Sequence, residues 1–399
     1  PAALDREEAS SSNGELLSRA LPSSAQTCLN NYPLEKSYPG SSTYSSDSQA
    51  QNENLHYSPA AFALPSSAAG AADVVKCVAA QKGKVKMAVR GGGHSYEAYS
   101  LGGADNHLVL DMRKFTNISI DSAAKTATIG AGVRLGDLAK TLADKGFALP
   151  HGTCAYVGVG GHSLGGGYGY ASRPWGYLVD HIVSMQVVKS DGSIVTVSST
   201  QNPDLWYALR GAGQNNFGVV LSFTYALETA PTSTVDFTYG WKSNSDCVEA
   251  LLALQTLTST NDTSAALPKN MTAELLWITE NAAQGGPACT IGGQHIGATL
   301  AQHQAAFQKL RDITKKQGVD IDDSQTQVHQ YSSWADALAD PNVMAGFDVS
   351  DPASQIEPVS LIQTRLVCLL LTFASFSTTP SPSSSLSPRR TPGKPRRIS

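Results

Sequence analysis

Between positions 158 and 169 the chain reads Gly158-Val159-Gly160-Gly161-His162-Ser163-Leu164-Gly165-Gly166-Gly167-Tyr168-Gly169, seven glycines in twelve residues. Each glycine inside a helix or strand costs about 0.5–1 kcal/mol relative to alanine, so the run exceeds what either element tolerates on stability grounds. Such a sequence is kept where backbone must approach something closely. A flexible linker would place Ser and Thr between the glycines, whereas here Val, His, Leu and Tyr are interleaved. A second cluster, Arg90-Gly91-Gly92-Gly93-His94-Ser95, follows the short alternating strand Val85 to Val89. Three consecutive glycines admit positive φ and let backbone N–H groups converge on an anion, as a pyrophosphate cradle requires. The cluster lacks the Gly-Lys-Ser/Thr ending of a Walker loop and the G-x-G-x-x-G spacing that opens a long helix. Taken alone, it fits a tight turn as well as a phosphate loop.

Composition narrows the remaining classes. With 399 residues, 41% hydrophobic and 16% charged, the chain is too apolar for wholesale disorder and too long for one small module, so two domains or one bilobal domain are expected. Lys and Arg total 29 against 33 Asp and Glu, a net charge of −4, which gives no global positive field for nucleic acid or anionic lipid. The apolar stretch Leu366 to Phe376 is about half the roughly 20 residues a membrane-spanning helix needs, so no membrane association is expected. The chain opens at Pro1 without the apolar core of a signal peptide, and secretion is argued instead from the sequons at Asn117, Asn261 and Asn270. The cysteines, Cys28, Cys77, Cys154, Cys247, Cys289 and Cys368, contain no C-x-x-C pair, and no metal site is expected. Their wide spacing fits one or two disulfides with at least one thiol left over.

Residues 1–52, rich in Ser, Ala, Asn and Gln without periodicity, read as a poorly ordered lead-in, with order starting near Tyr57. A first domain, 53–231, begins with a helix over Ala71 to Ala80 and a strand at Leu108 to Met112. A strand at Ala127 to Gly130 precedes a helix with Leu135, Leu138 and Leu142 on one face, stopped at Gly146. Ile182 to Val188 and Ile194 to Val197 flank the hairpin signal Asp191-Gly192. Asn202-Pro203-Asp204 reads as a capped helix start with Leu205, Trp206 and Leu209 as its buried face. After Ala230-Pro231 the texture changes to a second domain, 232–346, with a helix over Asp246 to Leu257 and strands over Ala273 to Thr279 and Thr290 to His295. An amphipathic helix follows, carrying Leu300, Phe307, Leu310 and Ile313. Residues 347–399 lose all pattern and end in a Ser-, Pro- and Arg-rich tail whose cations Arg389, Arg390, Lys394, Arg396 and Arg397 read as solvated.

The pair RGGGHSY and HGTCxxVGVGGHSLGGGYG, the second running from His151 to Gly169, resembles the FAD-linked oxidases of the vanillyl-alcohol-oxidase superfamily in the berberine-bridge-enzyme-like branch. Within that branch it is most similar to the fungal gluco- and chito-oligosaccharide oxidases, strongly over Tyr57 to Glu228 and weakly over Pro231 to Gly346. The resemblance implies an α+β chain: a PCMH-type two-subdomain FAD-binding domain followed by a substrate domain of antiparallel sheet with helices. It implies FAD as cofactor, bonded through His94 to the flavin 8α-methyl and through Cys154 to flavin C6. Imidazole and thiolate are nucleophiles able to add at these positions. His162 matches a histidine near the flavin N1–C2=O edge, where a donor stabilises negative charge. Gly152 matches the position controlling oxygen access, and a glycine there leaves room for an oxidase. The remaining implied cofactor contacts are Arg90, Gly91, Gly92, Gly93, Ser95, Thr153, Val157, Gly158, Gly160, Gly161, Gly165, Gly166, Gly218 and Val220.

On the substrate side, Tyr96 matches a tyrosine beside the sugar, although such a ring equally fits the flavin pocket, and Glu274 matches an acidic residue of the substrate sheet, although its alternation also fits a solvent-facing position. Cys28 and Cys77 sit where the sugar oxidases carry a disulfide, and Cys247 with Cys289 forms a second pairing by position, which leaves Cys368 single. The implied activity is a secreted, monomeric oxidase that moves a hydride from the anomeric C–OH of an oligosaccharide to flavin N5 and reduces O2 to H2O2. The alternatives are a berberine-bridge-like oxidase of an alcohol or secondary metabolite, or a truncated flavin-binding chain without catalysis. The family's tyrosine base and Asn-containing C-terminal motif find no counterpart here, and roughly the last hundred residues of the pattern are expected to be missing. Abstracting the hydroxyl proton needs a base within hydrogen-bond reach, so no catalytic residue is assigned.

Overall fold

The computed structural model describes residues 21–214, 216–260, 266–277, 286–340 and 343, so the expectations for Asn261, Cys368 and the cationic tail lie outside it. No helix among the described residues is long and apolar enough to cross a membrane. Within the poorly ordered lead-in expected over 1–52, the described residues 21–52 are ordered. Helix α1 (Ser23–Asn30), strand β1 (Glu35–Ser37) and the one-turn helix α2 (Tyr44–Asp47) occupy this segment. Two long-range ties explain the order: the disulfide Cys28–Cys77 and the antiparallel pairing of β1 with β2 (Ala61–Leu64). Composition registers neither tie, because each lies in the partner.

Helix α3 (Ala68–Ala79), capped by the Ser67 hydroxyl on Gly70 N–H, leads into β3 (Met87–Arg90) and β4 (Leu108–Asp111). β2, β4 and β3 pair in parallel, and β2 and β4 are buried throughout, as expected for a parallel sheet covered on both faces. The second sheet is antiparallel, in the order β5 (Ile118–Asp121), β6 (Thr126–Gly130), β10 (Val219–Ala226), β8 (Ile182–Val188), β9 (Ile194–Ser198). Between β6 and β8 lie α4 (Leu135–Ala143), which buries Leu135, Leu138 and Leu142, then β7 (Phe147–Ala148), α5 (Val159–Leu164) and α6 (Ser172–Trp175). β7 pairs with β11 (Glu228–Thr229).

Helix α7 (Pro203–Ala212) begins where expected, but Asn202 does not cap it. Its amide donates to Thr196 O instead, and only Leu209 of the three expected apolar residues is fully buried.

The remaining described elements are β12 (Thr234–Trp241), α8 (Asn244–Ser259), β13 (Met271–Trp277), β14 (Cys289–Ile296), α9 (Leu300–Lys316), β15 (Asp322–Tyr331) and α10 (Trp334–Ala339). The strands form one antiparallel sheet in the order β13-β14-β12-β15. Its helical face is a core of Phe237, Tyr239, Trp241 and Ile291 against Ala250, Leu254, Phe307 and Leu310, stitched by the disulfide Cys247–Cys289. Because strand side chains alternate, the opposite face carries Thr272 and Glu274 of β13, Gln294 of β14 and Asp236 of β12. The architecture is thus α+β, and the β13-β14-β12-β15 sheet presents one apolar and one polar surface. The polar one turns toward the glycine-rich segment.

Candidate cofactor and active site

The site is assembled where three chain segments meet. The segment after β6 and the loop after Cys154 run side by side: Leu135 N–H donates to Val157 O (2.9 Å), Gly136 N–H to Ala155 O (2.9 Å) and Val159 N–H to Val133 O (2.8 Å). These bonds explain how part of the glycine run becomes helix α5 against expectation, since its first turn is pinned to neighbouring backbone. The third segment is the turn at Gly91–Gly93. A Cβ on Gly92 would stand 2.1 Å from Gly158 N and 2.7 Å from an Arg134 nitrogen, so the two glycine clusters touch backbone to backbone. Arg134 clamps the contact, its Nη1 donating to both Gly92 O and Tyr156 O.

His94 and Cys154 emerge from the two segments so joined, and both are half-buried. Burial, followed by the nearby Arg134 charge, lowers the His94 imidazole to about 4, so it is neutral and nucleophilic at physiological pH. Cys154 belongs to neither disulfide. Gly152 is held from both sides: its N–H donates to His162 Nε2 (3.0 Å), and its carbonyl accepts from His151 Nδ1 (2.9 Å). Burial and then His151 lower His162 to about 4, and burial also lowers His151. With Nε2 accepting, neutral His162 carries its proton on Nδ1, which leaves a single donor to offer elsewhere.

Other expected contacts fall differently. Arg90 is 5% exposed, and its guanidinium is committed to Asp111 and to the Asp47 carbonyl and carboxylate rather than to a phosphate. Ser95 accepts the Tyr99 N–H in its own turn, and Val220 is buried in the core opposite Val187. Val157 packs on the same core, Gly165 lies against Gln214, and Gly218 adopts φ +146 against Val187 and Val188. Tyr96 is 58% exposed. Gly160 is buried against Ala131, while Gly91, Gly93, Thr153 and Gly166 are partly open and Gly161 is exposed.

The polar face of the β13-β14-β12-β15 sheet closes the site. Tyr168 OH donates to Glu274 Oε1 (3.0 Å), and Thr272 Oγ1 donates to Tyr170 O (2.5 Å), so Glu274 faces the glycine-rich segment and not solvent. Burial raises the Glu274 carboxyl, partly opposed by the Tyr168 hydrogen bond; burial and then Glu274 raise Tyr168. Arg134, Tyr168 and His151 were not foreseen as site residues. Only His151 and Tyr168 carried a sequence signal, by standing inside the glycine-rich motif.

Residues 59–198 match the family model described as an FAD binding domain. The chain is 42% identical over 231 residues to the xylooligosaccharide oxidase of Thermothelomyces thermophilus, covering 57% of this chain and 46% of the relative. The solved xylooligosaccharide oxidase from Myceliophthora thermophila C1 in complex with xylobiose superposes with a TM-score of 0.72 at 33% identity, over 82% of this chain and 65% of that one. The glucooligosaccharide oxidase from Acremonium strictum, whose structure concerns a 6-S-cysteinyl, 8α-N1-histidyl FAD, superposes with a TM-score of 0.69 at 31% identity, over 82% and 66%. The chain spans about half the length of the curated relatives it matches. The glycine cradle, which leaves backbone bare beside a neutral imidazole and a thiol outside the disulfides, fits this cofactor. The chain therefore carries an FAD-binding domain and is similar, over that domain and beyond it, to oligosaccharide oxidases and BBE-like proteins.

Proposed function

We propose that the protein is a secreted FAD-dependent oxidase that takes a hydride from the anomeric C–OH of an oligosaccharide and passes the electrons to O2, forming H2O2. The observation that carries this reading is the backbone contact between the turn bearing His94 and the motif bearing Cys154, together with the hydrogen bond from Tyr168 of that motif to Glu274 on the β13-β14-β12-β15 sheet. Bound FAD supplies the two-electron acceptor. His94 and Cys154 would hold it covalently, each being a nucleophile in an uncharged or activatable state. The bare backbone of Gly91, Gly93 and Gly161 would meet its diphosphate. Neutral His162, with its proton on Nδ1, offers one hydrogen bond where negative charge accumulates on reduction. Gly152, without a side chain, leaves oxygen a path, and His151 and His162 keep its peptide in place.

Glu274 accepts from Tyr168 and retains lone pairs for a sugar hydroxyl, while exposed Tyr96 provides a ring face for a pyranose. Carbohydrate is favoured because the xylo- and glucooligosaccharide oxidases named above act on such substrates by their names.

The test is denaturation of purified protein with acid. The yellow colour is expected to stay with the pellet in wild type and to be lost to the supernatant only when His94→Ala and Cys154→Ala are combined. Peroxide release is expected with xylo- or gluco-oligosaccharides and not with aromatic alcohols. Colour wholly in the wild-type supernatant, or peroxide from the alcohols alone, would overturn the reading.

A further inference from the structure

Gly152 stands two residues before Cys154 and has no side chain, so its backbone has the widest conformational freedom of any residue leading to the thiol. Two histidines remove that freedom, one on each side. The Gly152 N–H, in the peptide unit before its Cα, donates to His162 Nε2 (3.0 Å), and the Gly152 carbonyl, in the unit after it, accepts from His151 Nδ1 (2.9 Å). His151 is fixed in turn: a Cβ on Gly169 would stand 1.7 Å from His151 O, so the two ends of the motif meet there backbone to backbone.

The chain beyond Cys154 has its own anchor. Ala155 O accepts from Gly136 N–H (2.9 Å), Tyr156 O from Arg134 Nη1 (2.6 Å) and Val157 O from Leu135 N–H (2.9 Å). Thr153 and Cys154 therefore span the gap between two held segments, and the carbonyl that His151 grips belongs to the peptide plane that opens the span. The His151 ring is 8% exposed, and its Nε2 is buried with no hydrogen-bond partner among the described residues. It lies on a chamber also lined by Gly152, Thr153 and Tyr170, with room for about one water molecule. Burial lowers the imidazole, opposed by the bond to Gly152 O, so the ring is neutral and its single proton is the one given to Gly152. A buried imidazole with one protein hydrogen bond adds little stability by itself. What that bond fixes is the direction of the chain into Cys154.

We propose that His151 is a positioning residue for flavin attachment: by holding the Gly152 carbonyl it orients the span that carries Cys154 and so places the thiol for its bond to the cofactor. The inference rests on the covalent FAD reading above. Bond formation depends on approach geometry, and a misplacement of about 1 Å can lower a rate roughly a hundredfold. In that step S–C6 replaces S–H and C6–H, and the two protons and two electrons released pass to O2, giving H2O2. His94 approaches from the other glycine turn and does not depend on the Gly152 carbonyl.

The test is peptide mapping of the flavin-loaded full chain, harvested early and unfolded in acid, to count flavin joined to both His94 and Cys154 against flavin joined to His94 alone. His151→Asn keeps an amide N–H where Nδ1 stood, whereas His151→Gln has the same polarity but carries its N–H further out, where Nε2 stood. Wild type and His151→Asn are expected to be mostly doubly joined. His151→Gln and His151→Leu are expected to hold at least about tenfold less doubly joined flavin per His94-joined flavin. Thermal melting identifies a variant that does not fold, and the comparison of Asn with Gln decides the matter even if Leu is one of these. Wild-type attachment in His151→Gln, or no recovery in His151→Asn, overturns the proposal and leaves the attachment reading intact. Wild-type flavin joined to His94 alone refutes attachment through Cys154, and the proposal with it.

Discussion

Replacing Asp111 with Asn is the sharpest test of what holds the first glycine turn. Asp111 is fully buried and accepts from Arg90 Nε (2.8 Å) and Nη2, and from Arg113 N (2.9 Å), Nε (3.0 Å) and Nη2 (2.7 Å). Around it two cations, Arg90 and Arg113, face two carboxylates, Asp111 and Asp47. Asp111→Asn leaves two positive charges against one negative and turns an amide N–H2 toward guanidinium donors. Arg113 is partly exposed and can turn to water, but Arg90 cannot, and its remaining carboxylate contact with Asp47 is 3.6 Å long. Leaving a buried charge uncompensated costs about 3–5 kcal/mol, whereas the Arg113 share is about 0–1 kcal/mol. The assay is urea unfolding, read as a shift in midpoint at constant slope, with Arg113→Met as the comparison. Burial pushes the Asp111 carboxyl up, but Arg90 and Arg113 overcome this and hold it below the usual range. The wild-type advantage is therefore full above about pH 4 and shrinks as acid protonates Asp111. A loss below about 1 kcal/mol for Asp111→Asn, or an equal loss for Arg113→Met, would refute this account of Arg90.

Three further outcomes follow from the same geometry. Gly92→Ala places a Cβ into backbone at 2.1 Å and should cost about 1–3 kcal/mol or more together with flavin retention, while Gly161→Ala, with nothing within 4 Å, should fold normally; thermal melting and retained absorbance check both. Burial lowers the folded pKa of His94, His162, His295 and His303 to about 4, so the stability from keeping them neutral is full above about pH 6.5 and is lost between there and about 4. Unfolding midpoints at stepped pH should fall by more than a single histidine accounts for. In a secreting host, Asn117 should carry glycan because it is exposed, and Asn270 should not, because its amide donates to Ile296 O (2.6 Å); the mass of Asn117→Gln decides.

The meeting of the two glycine motifs was legible because their constraints are local. His94, Gly152, Cys154 and His162 occur at fixed spacings inside two short motifs, and the structure brings those motifs into contact. The α3 and α9 helices and the Asp191-Gly192 hairpin were legible for a similar reason, since each element carries its own cap, turn or apolar stripe. The order of residues 21–52 was not, because it depends on Cys77 and β2, far along the chain. Strand β12 was overlooked although Val235, Phe237, Tyr239 and Trp241 alternate plainly. That oversight also hid Asp236, whose burial is a property of the sheet it enters. Tyr168 and Glu274 meet across 106 residues, a distance over which neither residue carries information about the other.

The glycine run itself divides into two populations that the sequence cannot separate. At Gly169 a Cβ would stand 1.7 Å from His151 O, and at Gly158 2.1 Å from Gly92 N, so these glycines exist to let protein backbone meet protein backbone. Gly161 and Gly166 have no atom within 4 Å of a Cβ, and it is there that bare backbone remains open to a ligand. The first population builds the peptide cage in which His151 and His162 hold Gly152; the second provides the surface on which a cofactor can lie. A cofactor contact at every glycine of the motif is therefore too broad an expectation. Losing a packed glycine should damage the fold and the flavin together, and so should losing Gly166, whose φ of +116 strains any side chain, whereas losing Gly161, with room and no positive φ, should affect only the flavin. The two classes of variant thus separate what the protein needs to fold from what it needs to bind.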